Sequence, residues 1–322
     1  MSEFDFSVIV PSVGRPNDLK KCLMSLTNQN YIGNYEIIIV LLEKDLLSNL
    51  VANETIKKFK HLLHVSIRIG FTAKLGFIQA IRTGFSQSSG EFVAFCDDDA
   101  VYPSNWLQKL SAGFECNGIH GVGGPIKEKG IWLDRTNGKR ISRVTWYGKH
   151  HYRVRAYPDI ANSIEVDSLP GANMAYRRSV LRESFFEMHL QFPSYAPGNE
   201  LFLGWMVRNN GGKLLFDPTC IVEHYSAPWI SGARENASRE YLADLNRVFI
   251  FAKCGNITQQ FYTLAGAVFH SLKRRNLSNS STKELFKFKS TEIEIRAIFS
   301  NHLYGRGVYK IDPTKNIKNE LL

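Results

Sequence analysis

The chain has 322 residues, of which 44% are hydrophobic and 22% charged, a composition typical of an ordinary globular protein. Its length allows one large α/β domain with an appendage, or two domains. The formal charge of +10 is uneven, because residues 231–322 carry 15 lysines and arginines against 8 acidic residues, a net charge of +7. This basic C-terminal third favours an anionic partner, either a membrane or a nucleic acid, although a solvated basic face has the same composition.

The five cysteines are scattered and include no CxxC pair. This argues against a zinc site and a disulfide framework, and it favours a reducing compartment. The N-terminus is acidic and passes directly into a strand pattern, so we expect no signal peptide. No apolar stretch reaches the roughly 18 residues of a membrane-spanning helix. A cytoplasmic protein is therefore expected.

The first hundred residues alternate strand and helix patterns. Residues 6–10 and 36–42 are apolar runs typical of buried strands, and residues 64–69 predict a third strand. The first strand is expected to stop at Pro11, and Asn17 and Asp45 are the predicted caps of the first two helices. The resulting β-α-β-α-β-α-β order predicts a mainly parallel sheet between helices.

A further apolar run, Phe92–Cys96, ends in three consecutive carboxylates, Asp97, Asp98 and Asp99, here called the acidic triplet. Three negative charges at the end of a buried strand need compensation, and a divalent cation bound at the carboxyl end of the strand supplies it. Mg²⁺ or Mn²⁺ suits such oxygen ligands and commonly bridges carboxylates to substrate phosphates. The tripeptide alone is equally compatible with a solvated acidic turn.

The pattern is less regular after the acidic triplet. A helix is expected from Pro103, and residues 121–165 are rich in glycine, basic and aromatic residues, which predicts short strands and loops. Regular elements return later: a strand region at Val166–Tyr176, helices from Arg178 and Gly198, strands around Leu214 and Ile221, and a helical pattern from Gly232 onward.

Several segments together resemble the family 2 glycosyltransferases, which have the GT-A fold. They are Val8–Pro16 with the helix that follows, Phe95–Pro103 around the acidic triplet, Gly171–Arg178, Gly211–Pro218 with His224, and Tyr241–Arg247. The resemblance covers about residues 5–255, in order. It implies a GT-A catalytic domain at 1–230, with a nucleotide-binding half (1–102) and an acceptor half (103–230), followed by a basic helical extension at 231–322.

The resemblance also implies a metal site in which Asp97 and Asp99 hold Mg²⁺ or Mn²⁺ and His224 is the third protein contact. The residues implied on the nucleotide side are Pro11, Ser12, Arg15, Glu43, Lys74, Asp97 and Asp98. Two of these depart from the family pattern. Glu43 or Asp45 takes the place of an aspartate that follows the second strand in the family. Lys74 takes the place of an arginine, and a solvated helix lysine is an equally good interpretation of this residue.

The general base of the family is the aspartate of a Glu-Asp pair that opens a helix. The matching positions here are Asn199 and Glu200, so Glu200 is the expected base, one methylene longer than the usual residue. The helix N-terminus would lower the pKa of Glu200 and burial would raise it. The departure leaves a catalytically inactive homologue open, and Asp167 and Glu223 are the next candidates for the base.

The resemblance implies a metal-dependent inverting glycosyltransferase that moves a sugar from a nucleotide-sugar donor to a hydroxyl acceptor, and these residues can supply that chemistry. By resemblance, the acceptor belongs to surface polysaccharide or lipid-linked glycan assembly. The alternatives are a sugar nucleotidyltransferase, which releases pyrophosphate, and an inactive glycan- or membrane-binding homologue. Dinucleotide and P-loop motifs are absent. The aromatic and basic stretch 132–157 is interpreted as an acceptor-side flap, and no nucleic-acid partner is expected.

Apolar residues from Ile257 to Leu272 recur at helical spacing and are followed at once by Lys273-Arg274-Arg275. An amphipathic helix with a basic flank can lie in the interface of an anionic membrane, here the cytoplasmic face. Packing of the same stripe on the catalytic domain explains the pattern equally well, so peripheral membrane contact is one of two open interpretations.

Overall fold

The computed structural model describes residues 3–73, 75–137, 140–147, 150–181, 197–226, 246, 250–251, 254–262 and 265. The chain forms two compact units. The first contains Met1–Arg143, His151–His189 and Asn199–Ala233, and the second contains Val144–His150, Leu190–Gly198 and Arg234–Leu322. The boundaries expected at residues 102 and 230 stay predictions.

The first unit begins with alternating strands and helices, as the sequence predicts. The strands are β1 (Phe6–Ser12), β2 (Tyr35–Leu42), β3 (Val65–Thr72) and β4 (Phe92–Phe95), and the helices are α1 (Pro16–Leu26), α2 (Leu46–Phe59) and α3 (Phe77–Gln87). The four strands are parallel and lie in the order β4-β1-β2-β3. Their apolar side chains are buried on both faces of β1 and β2, which is why these strands are continuous apolar runs.

Two predicted boundaries near β1 are wrong. The strand continues through Pro11 to Ser12. Ile9 O accepts from Cys96 N (3.0 Å), so Ile9 and every second residue from it, including Pro11, direct their backbone groups toward β4. Pro11 lies beyond the end of β4, so its missing N–H breaks no hydrogen bond between the strands. Helix α1 begins at Pro16 with Arg15 at the N-cap position, so Asn17 is not the cap. Proline needs no N–H partner in the first turn and has a helix-compatible φ. The predicted cap Asp45 is confirmed, since its side chain accepts from Ser48 N.

The remaining elements of the described chain include short strands and two further α-helices. They are β5 (Ala100–Val101), α4 (Trp106–Phe114), β6 (Ile119–Gly123), β7 (Ile126–Glu128), β8 (Asp134–Arg135), β9 (Arg143–Val144), β10 (His150–His151), β11 (Ala156–Tyr157), β12 (Ile164–Val166), β13 (Met174–Arg177), α5 (Asn199–Asn209), β14 (Lys213–Phe216) and β15 (Val222–His224). The helix expected from Arg178 is a 3-10 helix, Arg178–Val180, and residues 182–196 lie outside the described chain. Most of the helical pattern expected after Gly232 also lies outside it.

Two sheets of the first unit position the functional residues. The larger sheet has the strand order β12-β14-β6-β13-β4-β1-β2-β3, in which β13 and β12 run antiparallel to their neighbours. A smaller sheet has the order β5-β15-β7. The acidic triplet is the connection from β4 in the large sheet to β5 in the small one. The small sheet therefore lies next to the carboxyl end of β4, and its residues can reach the acidic triplet.

The second unit is described only in part. Residues 257–262 are helical, and Gln259 Nε2 donates a hydrogen bond to Thr145 O (3.2 Å). The rings of Trp146 and Tyr262 meet edge to face with centroids 5.2 Å apart. Among the described residues, no helix has both the length and the apolar character that a membrane crossing requires.

Candidate active site

The acidic triplet is held in a tight turn by backbone contacts to three other elements. Asp97 N donates to the hydroxyl oxygen of Tyr102 (3.1 Å), and Ala100 N donates to Asp97 O (3.3 Å). Cys22 of α1 places its Sγ 3.5 Å from Asp97 O. Because the backbone is fixed on several sides, the three carboxylates extend from one well-defined turn at the carboxyl edge of the sheet.

His224 reaches the acidic triplet through the small sheet, where it lies opposite Ala100 in the antiparallel pair β15–β5. His224 Nε2 lies 3.1 Å from Asp99 Oδ1 and 3.5 Å from Asp97 Oδ2. One ligand atom from each of Asp97, Asp99 and His224 falls within 4.8 Å of the other two. The structure thus brings together the three residues that the sequence predicts as metal ligands.

The charges of the triplet are compensated by two cations. Arg15 places NH2 2.5 Å from Oδ1 of the fully buried Asp98 and NH1 2.9 Å from Asp99 Oδ2. Burial raises the pKa of Asp98 to about 7, against the lowering effects of the Arg15 guanidinium and the Ser12 hydroxyl. Burial opposes a charge on His224, but hydrogen bonds to the carboxylates of Asp97 and Asp99 raise its pKa to about 10. His224 is therefore an imidazolium at neutral pH when only these side chains surround it.

This donor set fits a divalent cation. Two carboxylates and one imidazole converge on a common point, and oxygen-rich sites with one nitrogen ligand accept Mn²⁺ as well as Mg²⁺. Binding requires His224 to lose its proton, and the cation then takes over the charge compensation that the imidazolium provides.

Glu128 is a member of the site that the sequence does not single out. In the parallel pair β15–β7 it lies opposite His224, and its Oε2 is 3.1 Å from His224 Nδ1. Burial would raise the pKa of Glu128, but hydrogen bonds to Ser226 and His224 lower it below its usual range. Arg155 NH1 is 3.3 Å from the same Oε2. The pairing of β7 with β15 joins residues 96 positions apart, and no local pattern indicates it.

The predicted nucleotide-side residues occupy the same edge of the sheet with different surroundings. Pro11 and Ser12 form the end of β1, next to Arg15. Glu43 is exposed in the turn after β2, whereas Asp45 accepts a hydrogen bond from Gly14 N (2.5 Å) in the β1–α1 loop. Asp45 is therefore the carboxylate of the two that contacts this loop. Lys74 lies outside the described residues.

Glu200 lies in the first turn of α5, beside the loop that precedes β13. A Cβ placed on Gly171 would come within 2.8 Å of Glu200 Oε1, so the absence of a side chain at Gly171 leaves room for the carboxylate. Burial raises the pKa of Tyr176 on β13, and the charge of Glu200 raises it further. Glu200 thus lies against the strand that neighbours β4.

The two other candidates for the base are held by structural partners. Asp167 is buried, with Arg208 NH1 at 2.7 Å and Arg143 NH1 at 3.3 Å from its Oδ1. Glu223 alternates with His224 on β15, so it points to the opposite face of the small sheet, and it accepts a hydrogen bond from the Tyr225 hydroxyl (2.8 Å).

Tyr102 connects the acidic triplet to the loop beside Glu200. Its hydroxyl accepts from Asp97 N and donates to Ala172 O (3.1 Å), and the side chain is buried. Asn173, also buried, donates to Cys220 O (2.7 Å) and accepts from Trp106 Nε1 (2.9 Å). No local sequence pattern indicates either role, because tyrosine and asparagine occur in many loops without making such contacts.

Comparison with solved structures defines the class of fold. The chain resembles the S. aureus protein TarS, residues 1–349, in complex with UDP-GlcNAc (TM-score 0.59, 14% identity, 91% of this chain and 81% of TarS 1–349). It also resembles the mannosyltransferase PcManGT from Pyrobaculum calidifontis in complex with GDP-Man and Mn²⁺ (TM-score 0.55, 13% identity, 94% and 88%). Together with the mostly parallel sheet, these likenesses show that the fold is the GT-A fold of glycosyltransferases.

The sequence comparisons place the chain in a family. The model of the family described as "Glycosyl transferase family 2" matches residues 7–185, more than half of the chain. The protein therefore belongs to glycosyl transferase family 2. A curated relative, glycosyltransferase AglE from Haloferax volcanii, is 29% identical over 122 residues, which are 38% of this chain and 39% of that relative.

Proposed function

We propose that the protein is a metal-dependent, inverting glycosyltransferase that moves one sugar from a nucleotide sugar to the hydroxyl group of an acceptor. The observation that carries this proposal is the convergence of Asp97, Asp99 and His224 at the carboxyl edge of the sheet. The GT-A fold binds ligands at such an edge. Nucleotide sugars in the TarS and PcManGT complexes, the second with Mn²⁺, support the class of donor and of cation.

The metal-side residues bind and orient the donor. When bound, Mg²⁺ or Mn²⁺ neutralises the negative charge that develops on the departing diphosphate. Asp97, Asp99 and His224 would hold the ion, and the guanidinium of Arg15, at the same edge, offers donors to phosphate oxygens. Asp98 stays buried and paired with Arg15, which fixes this guanidinium beside the site.

Glu200 is the proposed general base. It takes the proton from the acceptor hydroxyl as the oxygen attacks the anomeric carbon, while the bond from that carbon to the diphosphate oxygen breaks on the opposite face. A single displacement of this kind inverts the configuration. Gly171 keeps the space that the Glu200 carboxylate occupies, and Tyr102 ties the Gly171 loop to the acidic triplet.

The product that the enzyme releases tests the proposal. A thermal-shift screen of nucleoside diphosphates and nucleotide sugars with Mn²⁺ would find the donor, and ³¹P NMR of the reaction would identify the phosphorus product. We expect a nucleoside diphosphate. Release of pyrophosphate would instead support a sugar nucleotidyltransferase, and no turnover with any bound donor would support an inactive homologue.

The acceptor proposed here is a lipid-linked or growing surface glycan, which the enzyme meets at the cytoplasmic face of a membrane. Ile257 and Phe261, four residues apart on one helical segment, are 83% and 65% exposed. Trp146, Tyr147 and Tyr262 form an exposed aromatic cluster in the same unit. Tryptophan and tyrosine favour the membrane–water interface. Apart from Ala265, the rest of the stripe to Leu272 lies outside the described residues, as does Lys273-Arg274-Arg275.

Sedimentation with liposomes tests this contact. Binding to anionic vesicles should weaken as salt rises, and it should weaken further when Lys273, Arg274 and Arg275 are changed to serine, because the basic flank acts through screened charge. Vesicles of neutral lipid are the control. A protein that ignores anionic vesicles at low salt would leave the stripe as ordinary packing.

A further inference from the structure

Glu128 lies behind His224, on the side away from the acidic triplet. We propose that Glu128 is a positioning residue: it fixes the tautomer and the orientation of His224, so that Nε2 faces Asp97 and Asp99 with its lone pair available to a divalent cation. This inference rests on the proposed metal-dependent function and deepens it.

The two strands hold this pair in place. In the parallel pair β15–β7, His224 lies opposite Glu128, and both residues are buried, at 7% and 8% exposure. His224 Nδ1 is 3.1 Å from Glu128 Oε2, while Nε2 on the other side of the ring is 3.1 Å from Asp99 Oδ1. The imidazole is therefore held between two carboxylates, one for each ring nitrogen: Glu128 on β7 and Asp99 in the turn between β4 and β5.

The chemistry of imidazole makes this clamp directional. A neutral imidazole carries one N–H, and a ring nitrogen that ligates a metal must not carry it. With an acceptor at Nδ1, the proton stays on Nδ1 and Nε2 is left as the ligand. Carboxylates behind metal-binding histidines generally act in this way, and their loss weakens metal binding about 10–100-fold.

Two further side chains contact the pair of Glu128 and His224. Arg155 NH1 is 3.3 Å from Glu128 Oε2, and the Ser226 Oγ lies 3.1 Å from the same Nδ1 of His224. Ser226 is a weaker acceptor than a carboxylate, so it can share the Nδ1 proton but does not replace Glu128. The positioning effect is therefore assigned to Glu128.

The Mn²⁺ dissociation constant of the full chain, measured by EPR titration without donor, tests the inference. Glu128→Met keeps the volume and removes the acceptor, so we expect it to weaken Mn²⁺ binding by about tenfold or more. Glu128→Gln keeps an amide oxygen that accepts from Nδ1 and should stay within a few-fold of wild type. Glu165→Ala, which removes a glutamate paired with Lys213 at the edge of the large sheet, is the matched control and should bind Mn²⁺ normally.

A double-mutant cycle separates positioning from general damage. If Glu128 acts through His224, Glu128→Met should not weaken Mn²⁺ binding any further in a protein that already carries His224→Ala. The ¹⁴N modulation of Mn²⁺ in spin-echo spectra, a signature of a coordinated imidazole, should be present in wild type and Glu128→Gln and reduced in Glu128→Met. If Glu128→Met does not fold, Glu128→Ala serves in the same cycle.

Each outcome bears on one claim. Equal Mn²⁺ affinity in wild type and Glu128→Met, or a full additional loss on the His224→Ala background, would overturn the positioning role and leave the metal site intact. A wild-type protein that binds no Mn²⁺ would overturn the proposed metal dependence itself.

Discussion

The two sides of the proposed active site are built in different ways. The metal side gathers charged side chains from several elements, and its ionic contacts join Arg15, His224 and Glu128 to the acidic triplet or to one another within 3.5 Å. The base side consists of Glu200 in the first turn of one helix, with Gly171 leaving it space. A change on the metal side therefore alters charge balance and ligand binding, whereas a change on the base side should alter the rate alone.

The largest effect is expected from Asp99→Asn. This change keeps the shape of the side chain and removes a metal ligand, so turnover should fall on the order of 10³-fold or more, because a metal ion contributes several kcal/mol to the transition state. Metal-dependent nucleotide binding should weaken as well. Steady-state turnover and thermal shift with Mn²⁺ measure both. The metal-free variant should unfold somewhat earlier than wild type, since it loses the ion pairs of Asp99 with Arg15 and with the protonated His224.

Glu200→Gln tests the other side. It keeps the size of the side chain but cannot accept the proton, so the maximal rate should fall on the order of 10² or more. Donor affinity and the unfolding temperature should match wild type, and the exposed carboxylate variant Glu91→Gln, which only disturbs a pair with Arg177, should keep the full rate. An active Glu200→Gln enzyme would place the base elsewhere and remove the contrast between the two sides.

Gly171→Ala should have a smaller effect of the same kind. The added methyl group would stand 2.8 Å from Glu200 Oε1, so the carboxylate must shift, and a misplacement of well under 1 Å should lower the rate by about tenfold. Only the end of a flexible side chain has to move, so the unfolding temperature should change little. A rate equal to wild type would mean that Glu200 needs no exact placement, whereas a large loss of stability would mean that Gly171 serves the fold.

Tyr102→Phe should affect both sides slightly. It removes the hydroxyl that joins Asp97 N to Ala172 O in a buried position, which should lower the free energy of unfolding by about 1–3 kcal/mol. We expect metal affinity and maximal rate each to fall less than tenfold. Chemical denaturation measures the loss of stability, and metal titration and steady-state kinetics measure the other two effects. A loss of metal affinity alone, or of rate alone, would mean that the Tyr102 hydroxyl does not couple the two sides.

Features that depend on local sequence patterns could be predicted from the sequence. The parallel strands and the cap Asp45 follow from local periodicity and side-chain chemistry, and the acidic triplet stands out because three carboxylates end an apolar run. The stop predicted at Pro11 failed because the hydrogen-bonding side of a strand depends on its neighbours.

Long-range register explains the residues that were missed. Glu128 reaches His224, and Tyr102 reaches Ala172, only because strands and loops distant in the sequence pair in space. A buried glutamate on a three-residue strand carries no local mark of its partner. His224 could be named in advance only through the family resemblance, since a single histidine after an apolar strand is otherwise uninformative.

The most direct test of the account is the dependence of donor turnover on the metal. The full chain would be incubated with the nucleotide sugar found by thermal shift, with Mn²⁺ or with EDTA, and nucleoside diphosphate release would be followed with wild type and Asp99→Asn. We expect release by wild type with Mn²⁺, and loss of release both in EDTA and in the variant. Undiminished release in EDTA would contradict a catalytic metal site at Asp97, Asp99 and His224.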